Sequence, residues 1–171
     1  MQTPAQSKAG TVDDLLKIYS NLVRGSGPVI AAKNIRKELK AAFPETKFSV
    51  KSETFSMGHA VRISWTDGPT VRQVEAVADK YEAGKFDGMD DYYTYTTTPF
   101  NELFGSAKYV TTSRDYSREF ISRCIAKIVA KFGGDPITAE EYFNGGAHRW
   151  HNCHGVDLGR ELNLETSTTE A

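Results

Sequence analysis

The sequence predicts an α+β domain: a mainly antiparallel sheet of about four strands packed against helices, in the order α-α-β-β-α-β-β-α. Three observations carry this. From Phe48 to Thr70 the chain alternates, with Phe48 and Val50 set between Lys47, Ser49 and Lys51, and Val61, Ile63 and Trp65 set around Arg62 and Ser64. A period of two belongs to a half-buried strand pair, because successive side chains point to opposite faces. On both sides of this hairpin, apolar residues recur at helical spacing, the stripe of a helix that lies on a sheet. Each periodic stretch is also closed by turn or capping residues.

Length and composition bound the reading. A chain of 171 residues fits one domain that buries about 70% of its unfolded surface. A hydrophobic content of 39% and a charged content of 25% are those of an ordinary soluble protein. The net charge of −1 excludes a strongly acidic DNA mimic and a strongly basic nucleic-acid coat. Two cysteines, Cys124 and Cys153, are too few for a disulfide framework and suit a reducing cytosol. No apolar run reaches the roughly 20 residues of a membrane span, and MQTPAQSKAG lacks the regions of a signal peptide. The expected organisation is a flexible leader over 1–10, one domain over 11–160 and a disordered tail over 161–171, in the cytoplasm.

The first helix starts at Thr11 and Asp14 and carries Val12, Leu15, Leu16, Tyr19, Leu22 and Val23 on one stripe. That stripe packs on its own domain or docks on a partner or a second copy, giving a homodimer. Gly25 and Gly27 end it. The second helix runs from about Pro28 to Phe43 and buries Ile35, Leu39, Ala42 and Phe43. Its Lys33, Arg36, Lys37 and Lys40 fall at i, i+3, i+4 and i+7 and line up along another face. Such a stripe contacts a phosphate backbone or an acidic partner, or is a solvated helix face.

The hairpin adds Lys47, Lys51 and Arg62 on its polar face, a separate outward patch if the second helix covers the other side. His59 shares parity with Val61 and reads as a structural residue on the core side. Thr70 and Gln73 form a capping box for the third helix, Val71 to Tyr81, with Val74, Val77 and Ala78 inward. Asp87, Asp90 and Asp91 crowd around Gly88, but their spacing lacks the calcium-loop pattern, so a polar turn is expected.

Tyr92 to Thr98 has strand composition with weak alternation, as at an edge or a functional surface, and its Tyr92, Tyr93 and Tyr95 are candidate contact residues. Pro99 to Ser106 reads as a loop whose Phe100, Leu103 and Phe104 tuck inward. Lys108 to Ser113 reads as a strand able to form a second hairpin with the tyrosine strand. Ser117 opens the strongest helix, with Phe120, Ile121, Cys124, Ile125, Ile128, Val129 and Phe132 on its apolar face and Arg114, Arg118, Arg123, Lys127 and Lys131 on its flanks; Gly133-Gly134 ends it. Thr138 and Glu141 cap a short last helix. A single core is expected to join Ile35, Leu39, Phe43, Val50, Val61, Ile63, Trp65, Val74, Ile121, Ile125 and Ile128.

His148, His151 and His154 recur every three residues with Cys153 beside the last, and imidazole and thiolate are ligands zinc prefers. Against zinc, no second ligand pair occurs elsewhere, no glutamate accompanies the histidines as a general base, and Trp150 suggests a segment anchored by one aromatic. No nucleophile elbow, phosphate loop or dinucleotide fingerprint is present, so no cofactor and no reaction are read from the residues.

Four runs carry a family resemblance: I-R-K-x-L-K-x-x-F-P at Ile35 to Pro44, K-F-S-V at Lys47 to Val50, S-W-T-D-G-P-T at Ser64 to Thr70 and F-D-G-M at Phe86 to Met89. In order and spacing they resemble one of the large polyvalent protein-associated domains, the twenty-ninth of that series. The resemblance implies a phage or conjugative plasmid protein, and a role in protecting incoming DNA or interfering with host defence. It brings no catalytic residues. The expected function is therefore an inhibitor that binds a host protein, as an anti-restriction or anti-CRISPR protein does, and leans away from an enzyme. The alternative is a protein that binds DNA or RNA and protects or processes incoming DNA through Lys33, Arg36, Lys37 and Lys40, with Lys47, Lys51 and Arg62.

Overall fold

A computed structural model describes residues 12–87, 92–134, 137–146 and 158–170, with the side chains at 85–87, 92, 93 and 95 excepted. The fold is mixed α+β. Helices α1 (Val12–Ile18) and α2 (Pro28–Ala42) precede a hairpin of β1 (Ser49–Phe55) and β2 (Gly58–Thr66). Then come α3 (Val71–Ala78), a 3-10 turn (Asp79–Tyr81), β3 (Gly84–Asp87), β4 (Tyr92–Tyr95) and α4 (Pro99–Phe104). The chain closes with β5 (Tyr109–Asp115) and three helices, α5 (Arg118–Phe132), α6 (Ala139–Phe143) and α7 (Leu158–Thr168).

The hairpin register is the one the alternation requires: Val50 faces Ile63, Lys51 faces Arg62, and Val61, Ile63 and Trp65 are buried while Arg62 is exposed. The Gln73 side chain accepts from the Thr70 N–H at 2.7 Å, and Thr138 with Glu141 repeats the device before α6. Both boxes satisfy N–H groups that the first helical turn leaves without partners.

The sheet departs from expectation. It has three strands in the order β1-β2-β5, and β5 lies parallel to β2 rather than in a hairpin with the tyrosine strand. The tyrosine strand is β4, which pairs antiparallel with β3, a strand not read from the sequence. One parallel bridge, Glu82 to Ala107, links that ribbon to the start of β5 before the two diverge. Because α3 lies between β2 and β5 in sequence and packs beside β5, the chain returns to the sheet in the direction it left. The stretch read as a loop at Pro99 to Ser106 is the short helix α4. Its proline sits at the first helical position and Thr98 caps it by accepting from the Asn101 N–H at 3.2 Å. Phe100 and Phe104 point inward as expected.

Among the described residues there are two cores, not one. The first joins α2, α3, α4 and the inner sheet face through Ile35, Leu39, Val50, Val61, Ile63, Trp65, Val74 and Tyr81, with Leu15, Leu16, Tyr19 and Phe43 packed at its margin. In α1, Val12 and Ile18 remain exposed. The second joins α5, α6 and α7 through Phe120, Ile121, Cys124, Ile125, Ile128, Leu158 and Leu162. Ile121, Ile125 and Ile128 thus bury against helices rather than the sheet. The expected tail over 161–171 is also corrected: α7 runs to Thr168 and buries Leu158, Leu162 and Thr166 at spacing of four on the second core.

Candidate functional site

Helix α2 covers the sheet face that carries Val50 and Ile63, so the opposite face is left to Lys51 and Arg62. On that outward face the residues fall in rows across the three strands. Ser49, Ser64 and Ser113 form one row, Lys51, Arg62 and Thr111 the next, and Glu53, Ala60 and Tyr109 the third. The first two rows and Glu53 of the third line a shallow depression of about 260 Å³. Arg62 donates from Nε to Glu53 at 2.8 Å; both are exposed, so the pair contributes little to stability and remains available to a partner.

At one end of this face the Phe55 and Tyr109 rings stack, 6.5 Å between centroids and 14° between planes. They reach each other across β2 because Gly58 opposite Phe55 has no side chain and Ala60 opposite Tyr109 has a short one. The Lys108 ammonium lies 5.2 Å from the Tyr109 ring centre, and its Nζ donates to the Met57 carbonyl at 3.2 Å. His59 has the structural role expected of it, its Nδ1 accepting from the Lys108 N–H at 3.0 Å. Phe55 and Met57 are exposed beside these cations. Sequence reading passed over Phe55 and Tyr109. The available signal was parity: Phe55 shares the outward set with Lys51 and Glu53.

The basic stripe of α2 divides. All four residues are exposed, but the Arg36 guanidinium donates to the Val50 carbonyl of edge strand β1, and the Lys37 ammonium donates to the Asn21 carbonyl after α1. Lys33 and Lys40 make no ion pair among the described residues. Lys47 lies apart from Lys51 and Arg62, in a groove of about 600 Å³ that it shares with Glu45, Asp67 and Arg123. Tyr92, Tyr93 and Tyr95 are placed by the β4 backbone opposite Asp87, Phe86 and Gly84, and their side chains lie outside the described residues. His148, His151, Cys153 and His154 also lie outside them, as do Asp90 and Asp91. Among the described residues no three histidine, cysteine or acidic side chains converge as metal ligands.

Two polar arrangements, one buried and one half-buried, were not legible in the sequence. Asn34 is fully buried, its amide accepting from the Val23 N–H at 2.7 Å and donating to the Val23 and Phe104 carbonyls at 2.8 and 2.9 Å. Glu38 accepts from Lys80 and from the Tyr81 hydroxyl, each at 2.6 Å, while the Lys80 ammonium lies 4.8–5.6 Å from the rings of Tyr19, Tyr81 and Phe100. Burial, with the Glu38 bond and charge added, holds the Tyr81 phenol well above its ordinary range. The first ties the segment after α1 and the end of α4 to α2, and the second ties the 3-10 turn to α2.

Among the described residues no helix is long and apolar enough to cross a membrane. A family model, large polyvalent protein associated domain 29, matches residues 28–117, from the first residue of α2 to the cap of α5. No curated protein and no solved structure matches the chain.

Proposed function

Because the chain belongs to the family of large polyvalent protein associated domain 29, we propose that it is a non-catalytic binding protein of a mobile genetic element. In this reading it counters a host defence system by occupying a host protein, as an anti-restriction or anti-CRISPR inhibitor does, through the uncovered face of the β1-β2-β5 sheet. The observation that carries the proposal is that face itself. Lys51 and Arg62 stand side by side among hydroxyls, with the exposed Phe55 and Met57 at the hairpin end of the same strands, which α2 covers from behind. Cations beside an apolar patch suit a protein surface with acidic groups around an apolar centre, the charges setting the rate of encounter and the apolar contact the lifetime.

The test is recovery of host proteins by the intact chain and by a Lys51→Glu, Arg62→Glu variant. Stable recovery of one defence component, resistant to nuclease and slowed in association by the variant, is the expected result. Equal recovery by both takes the sheet face out of the reading.

The Phe55–Tyr109 stack with Lys108 against it favours one second reading, single-stranded DNA or RNA with bases stacked on the rings and phosphates on the lysines. Salt separates the two. Phosphate contacts weaken steeply as salt rises, whereas a contact with an apolar centre resists it.

A further inference from the structure

Arg114 was expected on the flank of the α5 helix, and it lies in β5. It is only 8% exposed, and among the described residues no carboxylate pairs with it. Its guanidinium is instead spent on main-chain carbonyls: Nε to Asp67 at 3.2 Å, Nη2 to Gly68 at 2.8 Å and Thr169 at 3.1 Å, and Nη1 to Thr166 at 2.7 Å. Tyr116 and Phe120 lie within 5.2 Å of its carbon centre. Burying a cation without a counter-ion is costly. Here the end of α7 supplies the compensation, because the last carbonyls of a helix lack partners and carry the negative end of its dipole. Arg114 is a receptor for the carboxy end of a helix.

The rest of the trough matches that function. Leu158 and Leu162 of α7 drop onto the second core, Thr166 is buried at the Arg114 end, and Lys127 of α5 binds Glu165 at 3.0 Å. Lys131 of α5 and Glu161 of α7 face the same seam, where a cleft of about 250 Å³ stays open between the helices. The trough is thus apolar along its floor, basic along one wall and closed by a guanidinium.

Its occupant is a weak helix by itself. Eleven residues are fewer than the roughly 12–15 that an isolated helix needs in water. The hydroxyls of Thr166, Ser167 and Thr168 bond back to carbonyls of their own helix, which does not favour helix formation. α7 is helical because it is docked.

We propose that this trough is a docking site for an acidic amphipathic helix, and that α7 is its resident, exchangeable occupant. The partner chemistry is that of α7: apolar residues four apart, glutamates beside them, and free carbonyls at the end that reaches Arg114.

A fluorescent peptide of residues 158–171, added to the full chain, tests it. Saturable binding is expected. A resident competitor lowers apparent affinity by the fraction of time it fills the site, so ejecting it must raise affinity. Leu162→Asp in the chain should therefore tighten binding of the unaltered peptide about tenfold, and Glu165→Lys, a surface change that spares the core, about threefold. Leu162→Asp in the peptide should abolish binding. With the resident ejected, Arg114→Lys in the chain should weaken the peptide about tenfold, since one ammonium cannot reach four carbonyls. Hydrogen exchange of β2 amides in each variant establishes that the first core is intact. No saturable binding, affinity unmoved by both resident-weakening variants, or equal binding of the Leu162→Asp peptide overturns the proposal.

Discussion

The two cores are built on different principles. The first is assembled from contacts distant in sequence. β5 joins β2 across some forty residues, and Asn34 bonds a carbonyl seventy positions away, so no piece of it holds its shape alone. The second is three helices whose apolar stripes close on one another, with polar ties at the rim, such as Lys127 to Glu165 and Gln73 to Glu170, and the buried Arg114 at the end of α7. The family match stops at residue 117, where the first kind of construction gives way to the second. A sheet buried on one face must present the other, and here that face carries the candidate surface. The helical region stands beside it, joined through Arg114 and through Asp67, whose carboxylate accepts from the Ser117 N–H at 2.8 Å.

Paired truncations of the two cores test this division most strongly. Ile63→Ala and Ile125→Ala each remove a buried branched side chain and should cost about 2–5 kcal/mol. In chemical denaturation Ile63→Ala should lower the whole transition. Ile125→Ala should release the helices while β2 amides stay protected from hydrogen exchange. Loss of β2 protection in Ile125→Ala would merge the two cores into one cooperative unit.

Asn34→Ala probes the polar bracing of the first core alone. It leaves the Val23 N–H and two carbonyls without the side chain that satisfies them, and should cost about 3 kcal/mol, read as a shift in the denaturation midpoint. A smaller effect is expected at the hairpin. Gly58 has φ +152°, and an added Cβ would stand 2.8 Å from the Lys108 side chain. Since lysine can move aside, the cost of Gly58→Ala is mainly backbone strain of about 1 kcal/mol. The displaced Lys108 should also weaken whatever binding the sheet face supports.

Glu165 gives the smallest effect and belongs to the second core. Hydrogen bonds from Lys127 and Thr169 hold its carboxyl below the ordinary 4.5. Its stabilisation is therefore complete above that value and fades as pH falls through the lower, folded-state value. An acid titration of helix content should show a contribution below about 1 kcal/mol that Glu165→Gln abolishes. Cys124 beneath α7 is raised instead, first by burial and then by the Glu165 charge, so its thiol should resist alkylation at neutral pH until the helices open.

What the sequence determined by itself was local. Alternation through Val61, Ile63 and Trp65 set the buried face and register of the hairpin, since a slip of one residue would have turned them all to water. Thr70 with Gln73, and Thr138 with Glu141, marked where helices begin, because the groups they satisfy lie three residues away. Parity placed Lys51 and Arg62 on a face opposite α2. Tertiary structure decided everything that depends on a distant neighbour. Parity says which way a strand's side chains point but not which strand lies beside it, so β5 could not be assigned to β2. Helical periodicity shows that Ile121, Ile125 and Ile128 are buried but not against what, so one core was expected where there are two. The hydroxyl-rich end of α7 has tail composition because its helix depends on docking. Arg114 has no carboxylate partner among the described residues to announce it; the carbonyls that compensate its charge are brought together only when β5, the Asp67 turn and the end of α7 meet.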